Sequence, residues 1–231
     1  MYQSQRTDRE SKGVRRRSGR IARSSVEPGF NARERLLDTA GRLMSDRHSI
    51  DVSLSEIARH SGLNSALVKY YFGNKDGLLL ALVEREAAAA LAGLRELLRL
   101  DLPPTEKLRR HIAGVINKFF RTPYLNRLLH SLLDERKAQS RATRQVIKVF
   151  VRPLLDLQRE LIAQGVAAGE LKPIDAELFY VSMLGACDHL FNARYVLRLA
   201  GHKGINDAMR ERYVEHVCDI FINGMKGRAP T

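Results

Sequence analysis

The sequence predicts an all-α fold, and three observations predict it. Apolar residues recur at the spacing of helix faces, asparagine, glycine and proline fall where helices would start and stop, and no segment alternates apolar with polar residues in the manner of a strand. A hydrophobic share of 44% and a charged share of 28% over 231 residues belong to one or two globular domains. No internal repeat of fixed period is present.

The elements read off in order. Residues 1–30 hold eight basic groups against three acidic ones with almost no apolar periodicity, so they predict a flexible basic arm. A first helix is expected from Asn31, an N-cap with Glu34 three residues on. It places Leu36, Leu37, Ala40, Leu43 and Met44 on one face and ends near Arg47. Ser53-Leu54-Ser55-Glu56 form a capping box for a second, short helix with Leu54, Ile57 and Ala58 inward, which must stop at Gly62. Asn64 caps a third helix over 65–72, Gly73-Asn74 break it, and a long helix starts near Lys75 and is closed by Pro103-Pro104. Further helices are expected at roughly 105–120, 124–137, 142–168, 174–199 and 207–224, with Pro153 placed to kink one of them.

Charge gives the first functional clue. A formal net charge of +13 points to a polyanionic partner such as nucleic acid. The second and third short helices have the layout of a helix-turn-helix: Ala58 is small where two helices cross, Gly62 can take the positive φ of the turn, and Leu63 plugs the space between them. With Val68 and Phe72 as the buried face, Ala66 and Tyr70 point away from the core and Leu67 and Lys69 flank them, which suits a helix that reads the major groove.

The run Leu63-Asn64-Ser65-Ala66-Leu67-Val68-Lys69-Tyr70-Tyr71-Phe72-Gly73-Asn74-Lys75-Asp76-Gly77-Leu78, preceded by Ile57-Ala58, strongly resembles the TetR family of bacterial transcriptional regulators over residues 31–80. The resemblance implies a three-helix DNA-binding domain (31–77), a larger helical ligand-binding and dimerisation domain (78–231), and a homodimer on double-stranded, pseudo-palindromic operator DNA. It implies a phosphate contact at Ser53, capping at Asn64, base contacts from Ser65, Ala66 and Leu67, and backbone contacts from Tyr70 and Lys75. Three positions depart from the family pattern: Asn64 replaces a usual Ser, Leu67 a common Thr, and Lys69 a frequent Tyr, which still leaves a phosphate-binding cation. The arginine-rich arm is either a solubilising tail or an extension along phosphates or into the minor groove.

In the family the last two long helices pair across the dimer axis. The apolar character of 174–199 nearly all round, and the stripe Tyr213, Val217, Ile220 and Phe221, agree with that. The family's ligand pocket lies among the helices expected at 105–120, 142–168 and 174–199. Residues with polar tips or aromatic walls there are Phe119, Phe120, Phe150, Gln158, Tyr180, Asp188, His189, Asn192 and Tyr195, with Asp188, His189, Asn192 and Tyr195 forming a polar cluster on an otherwise apolar helix. The function expected is a ligand-responsive regulator, a repressor released by an unknown small-molecule inducer.

Other chemistries find little support. Cys187-Asp188-His189 and His216-Val217-Cys218 place their donors two apart, about 200° around a helix, so neither pair can converge on one ion. No nucleophile elbow, phosphate-cradling loop or zinc-protease spacing is present, so no metal, cofactor or enzymatic activity is expected. Cys187 and Cys218 are expected as small buried hydrophobes. The absence of an apolar stretch of about 18 residues or an apolar leader gives an expectation of no membrane association and a cytoplasmic location. The rival readings are an architectural DNA-binding protein without a ligand and a helical small-molecule enzyme or carrier.

Overall fold

A computed structural model describes residues 28–227; all but the last three residues of the expected arm lie outside them. The described residues form α1 (Pro28–Arg47), α2 (Leu54–Ser61), α3 (Ser65–Phe72), α4 (Lys75–Arg99), α5 (Pro104–Arg121), α6 (Leu125–Leu132), α7 (Arg141–Val146), α8 (Arg152–Ala167), α9 (Ala176–Asn192), α10 (Arg194–Leu199) and α11 (Asp207–Met225). No strand is formed among them, and one isolated antiparallel bridge pairs Leu171 with Lys226. No helix of the described residues is long and apolar enough to cross a membrane.

The N-terminal third closes around a small core. Leu36, Leu37, Ala40 and Met44 of α1 meet Val52, Ile57 of α2, Val68 of α3 and Leu78 and Leu82 of α4, all of them fully or almost fully buried. At about 1.5–3 kcal/mol for each large side chain taken out of water, this contact holds the short helices α2 and α3, which would be marginal alone. The helix α4 belongs to both halves. Its first turns supply Leu78 and Leu82 to that core, and its later turns bury Leu91, Leu94 and Leu98 against α5 to α8. Its far end is pinned by the buried Lys107, whose Nζ donates to the Leu98 carbonyl at 2.8 Å and to Gln164 Oε1 at 2.9 Å.

Four boundaries differ from the sequence expectations. The first helix begins at Pro28, so Asn31 lies inside α1 instead of capping it; proline suits a first helical turn because its φ is already helical. The helix expected over 124–137 ends at Leu132, where Asp134 draws the chain into a tighter turn by accepting the Arg136 backbone N–H at 2.9 Å and its guanidinium at 2.8 Å. The helix expected over 142–168 holds a wide π turn, Ile147–Val151, just ahead of Pro153, which has no N–H to complete the regular ladder. The helix expected over 174–199 breaks at Ala193, whose ψ of 28° turns the chain into the separate α10.

The two halves also meet directly. A Cβ added at Gly41 of α1 would sit 2.9 Å from the Tyr124 hydroxyl oxygen, so the absence of a side chain there lets the ring lie against the helix backbone. Arg85 of α4 reaches across to α1, with 2.7 Å to Asp38 and 3.4 Å to Glu34. Cys187 and Cys218 are both free and buried, and burial pushes the Cys187 thiol up to about 12.

Candidate nucleic-acid interface

The turn between α2 and α3 is built by its sequence. Gly62 takes φ 67°, a left-handed conformation that lets the Leu63 N–H return to the Ala58 carbonyl at 3.1 Å. Ala58 is buried where α2 crosses its neighbours, and Leu63 packs half-buried against the core. Asn64 then caps α3, its Oδ1 accepting the Ala66 N–H at 2.8 Å. Val68 and Phe72 face inward, while Ser65, Ala66, Lys69 and Tyr70 face solvent and Leu67 is half-buried between the two faces. Tyr70 is 80% exposed, an aromatic ring with almost no cover of its own.

Flanking this helix are two further helix starts. Ser53 caps α2 by accepting the Glu56 N–H at 3.2 Å, and Asn74 caps α4 by accepting the Gly77 N–H at 2.9 Å. Lys75 opens α4 and donates to Asp51 at 3.0 Å, an exposed pair that holds the α1–α2 loop against α4. Sequence reasoning missed both the Asp51 partner of Lys75 and Arg35, whose guanidinium lies beside Gly62; only the folded turn brings them together.

The second feature is a cavity of about 390 Å³ between α4 and α5, closed behind by α6, α8 and α9. Its wall is largely apolar, including Leu94, Phe119, Leu129, Phe150, Leu154 and Met183, with Ala90, Gly93 and Gly114 among its exposed positions. Its polar groups are few. Glu86 is ion-paired with Lys118 and lies 3.3 Å from Arg85 and 3.5 Å from the Tyr124 hydroxyl. His111 is hydrogen-bonded to the buried Gln158 at 2.9 Å, and burial holds its imidazole down at about 4, so it is neutral near pH 7. Burial likewise pushes Tyr124 up to about 12.

The nine positions read as pocket candidates are dispersed. Phe119 and Phe150 line the cavity, and Gln158 lies directly behind its His111 wall. Phe120 faces a different cavity, with the Arg210 guanidinium 5.0 Å from its ring. Tyr180 is half-buried off the cavity wall. Asp188 is engaged by Asn126, by Asn192 at 3.0 Å and by His130 at 3.5 Å, while His189, Asn192 and Tyr195 are exposed, so that cluster does not converge on the cavity. Among the described residues no group of three or more His, Cys, Asp or Glu side chains could hold a metal.

Comparison with known proteins meets this geometry at both ends of the chain. The family model for bacterial regulatory proteins of the tetR family matches residues 36–82, and the model for the tetracyclin repressor-like C-terminal domain matches residues 101–230, more than half of the chain. The chain belongs to the TetR family. Relatives of this TetR-family protein include the HTH-type transcriptional regulator BetI of Brucella anthropi, 31% identical over 125 residues, which are 53% of this chain and 62% of that protein. The BetI of Rhizobium meliloti is 33% identical over 89 residues, 38% of this chain and 42% of that one. The matches therefore span less than two thirds of these relatives.

Solved structures agree on the fold of the TetR-family chain. The fatty acid degradation regulator FadR from Bacillus halodurans superposes with a TM-score of 0.63 at 17% identity, over 84% of this chain and 99% of that one. A TetR/AcrR-family regulator from Thermobifida fusca gives a TM-score of 0.62 at 23% identity, over 84% and 98%. The chain thus carries a tetR-family helix-turn-helix domain followed by a tetracyclin repressor-like helical C-terminal domain.

Proposed function

We propose that the protein is a ligand-responsive repressor that binds a pseudo-palindromic operator as a homodimer and leaves it when a small molecule occupies the α4/α5 cavity. The observation that carries this reading is α4 itself. One uninterrupted helix begins at Lys75 beside the reading helix, carries Arg85 onto α1, and forms a wall of the cavity from Val83 to Leu97. A ligand that shifts α4 therefore shifts the reading head. Two such heads fit successive major grooves only at a spacing of about 34–36 Å, so a small tilt is enough to cost affinity.

On this reading Ser53, Asn64 and the N-terminal turn of α2 and α3 face phosphates, Ser65, Ala66 and Leu67 face bases, and Lys69, Tyr70 and Lys75 hold the backbone. The dimer rests on the apolar surface that one copy leaves open. Leu178 and Val181 of α9 are 67% and 65% exposed and Ile220 of α11 is 57% exposed, which is costly for a lone chain and ordinary for a helix pair that meets its symmetry mate. Phe221, by contrast, packs edge-on against Phe179 at 5.8 Å within the same chain. A bacterial protein that acts on chromosomal operators works in the cytoplasm.

An architectural DNA-binding protein would need no cavity, and the large apolar cavity favours the ligand-responsive reading over it. Calorimetry tests the reading. A duplex is first selected by the protein from a random pool, and compounds are screened for those that raise the melting temperature. A true inducer is expected to bind about 5–150-fold more weakly when the duplex is saturating. Equal affinity with and without DNA for every stabilising compound would refute the proposal.

A further inference from the structure

A second cavity, of about 320 Å³, lies where the C-terminal end of α1 meets α10 and the loop after it. Its chemistry is opposite to that of the α4/α5 cavity. Four side chains that carry or can take positive charge, His48, Arg194, Arg198 and Lys203, share its wall, and no carboxylate among the described residues lines it. Elsewhere Arg85, Arg110, Arg159 and Arg210 are each held by a carboxylate, whereas Arg194, Arg198 and Lys203 have no acidic partner among the described residues. The Nε of Arg194 is buried with no hydrogen-bond partner, a costly state for a polar group unless something supplied from outside accepts from it. Arg194 and Arg198 stand one turn apart on α10, where like charges repel.

Two more features mark the place. Phe120 and Phe191 line the cavity with ring centroids 6.5 Å apart and planes inclined by 49°, giving an aromatic floor beside the cations. Among the described residues His48 is the one non-glycine with a left-handed backbone, at φ 50°. It follows α1 at the position where glycine usually ends a helix, and such strain tends to sit at functional sites.

We propose that this cavity is a second ligand site, taking a small organic anion with a flat apolar body. Arg194, Arg198 and Lys203 meet the carboxylate, sulfonate or phosphate, and the body lies on Phe120 and Phe191. The site is separate from the α4/α5 cavity, and its occupant meets His48, which directly follows α1 of the DNA-binding domain, and α10 of the C-terminal domain at once. A duplex phosphate backbone is the competing anion, but an aromatic-floored cavity suits a small molecule better than a rod.

The test uses two probes on the full chain: anilinonaphthalene sulfonate, and neutral phenylnaphthylamine, which shares its rings without the sulfonate. The double variant Arg194→Met/Arg198→Met is expected to weaken the sulfonate about tenfold or more at one site while leaving the neutral probe unchanged. Gly114→Phe, which fills the α4/α5 cavity where a Cβ meets open space, is expected to lose the neutral probe and keep this sulfonate site. If the double variant unfolds, Lys203→Glu at an exposed position carries the same expectation. Unchanged sulfonate affinity in the variants, or equal loss of both probes, would overturn the proposal. So would a loss of duplex affinity with a shallower salt dependence and intact sulfonate binding, which would assign these cations to DNA. These readings are independent of whether a ligand in the α4/α5 cavity releases the operator.

Discussion

Tyr70 and Lys75 show how differently two neighbouring side chains can serve one surface. Tyr70 stands uncovered on α3, whereas Lys75 is already engaged by Asp51, so the phosphate contact proposed for it must compete with an exposed ion pair worth about 1 kcal/mol or less. Tyr70→Ala and Lys75→Ala are expected to weaken binding to all duplexes alike, and Leu67→Ala to relax preference at one base pair by about 1–3 kcal/mol; competition binding against single-base variants of a selected duplex separates the two behaviours. His111 makes a prediction about acid. Its folded-state value of about 4 lies below the ordinary 6.5, so between these values the unfolded chain binds more protons and stability falls as pH falls. From about pH 7 to about pH 5 this one group is expected to remove about 2 kcal/mol, and urea melts of His111→Gln should lack that component.

Among the helices, those that could be read in advance are the ones whose ends are set by adjacent residues. Asn64, Gly62 and Asn74 cap or stop α2, α3 and α4 through bonds to residues two to four away, so α3 and its outward face were legible. The break at Ala193 and the turn at Asp134 depend on how the chain packs and on side chains folding back, and periodicity alone ran through both. The cavity suffered the same way: Phe119 and Phe150 were legible as apolar walls, but Glu86 and Lys118, its charged pair, come from helices whose facing sides no local pattern reveals. That pair leads to a test of how α4 couples the two halves. Glu86 holds both Lys118 and Arg85, and Arg85 holds Asp38 and Glu34 of α1. Lys118→Met is expected to change duplex affinity several-fold when Arg85 is present and to have little effect in an Arg85→Met background. Additive effects in that double-mutant cycle would show that the ion pairs are independent.

At the scale of the whole molecule Leu178, Val181 and Ile220 leave an apolar surface open, and on the proposed dimer Val181→Glu is expected to yield monomers by sedimentation at micromolar concentration and to lower affinity for a two-half-site duplex far more than for a half-site. A variant that stays dimeric would place the interface elsewhere. The contact between Tyr124 and Gly41 bears on how such a dimer moves. The phenol lies 2.9 Å from where a side chain at Gly41 would begin, so any larger residue there would push α1 away from Tyr124. On the proposed mechanism the freedom left is rotation about the ring: the contact is expected to act as a fulcrum, with the ion pairs of Arg85 as a tether on one side and α3 as the long arm on the other, so that a small angular change at the bearing is magnified into translation at the far end of α3.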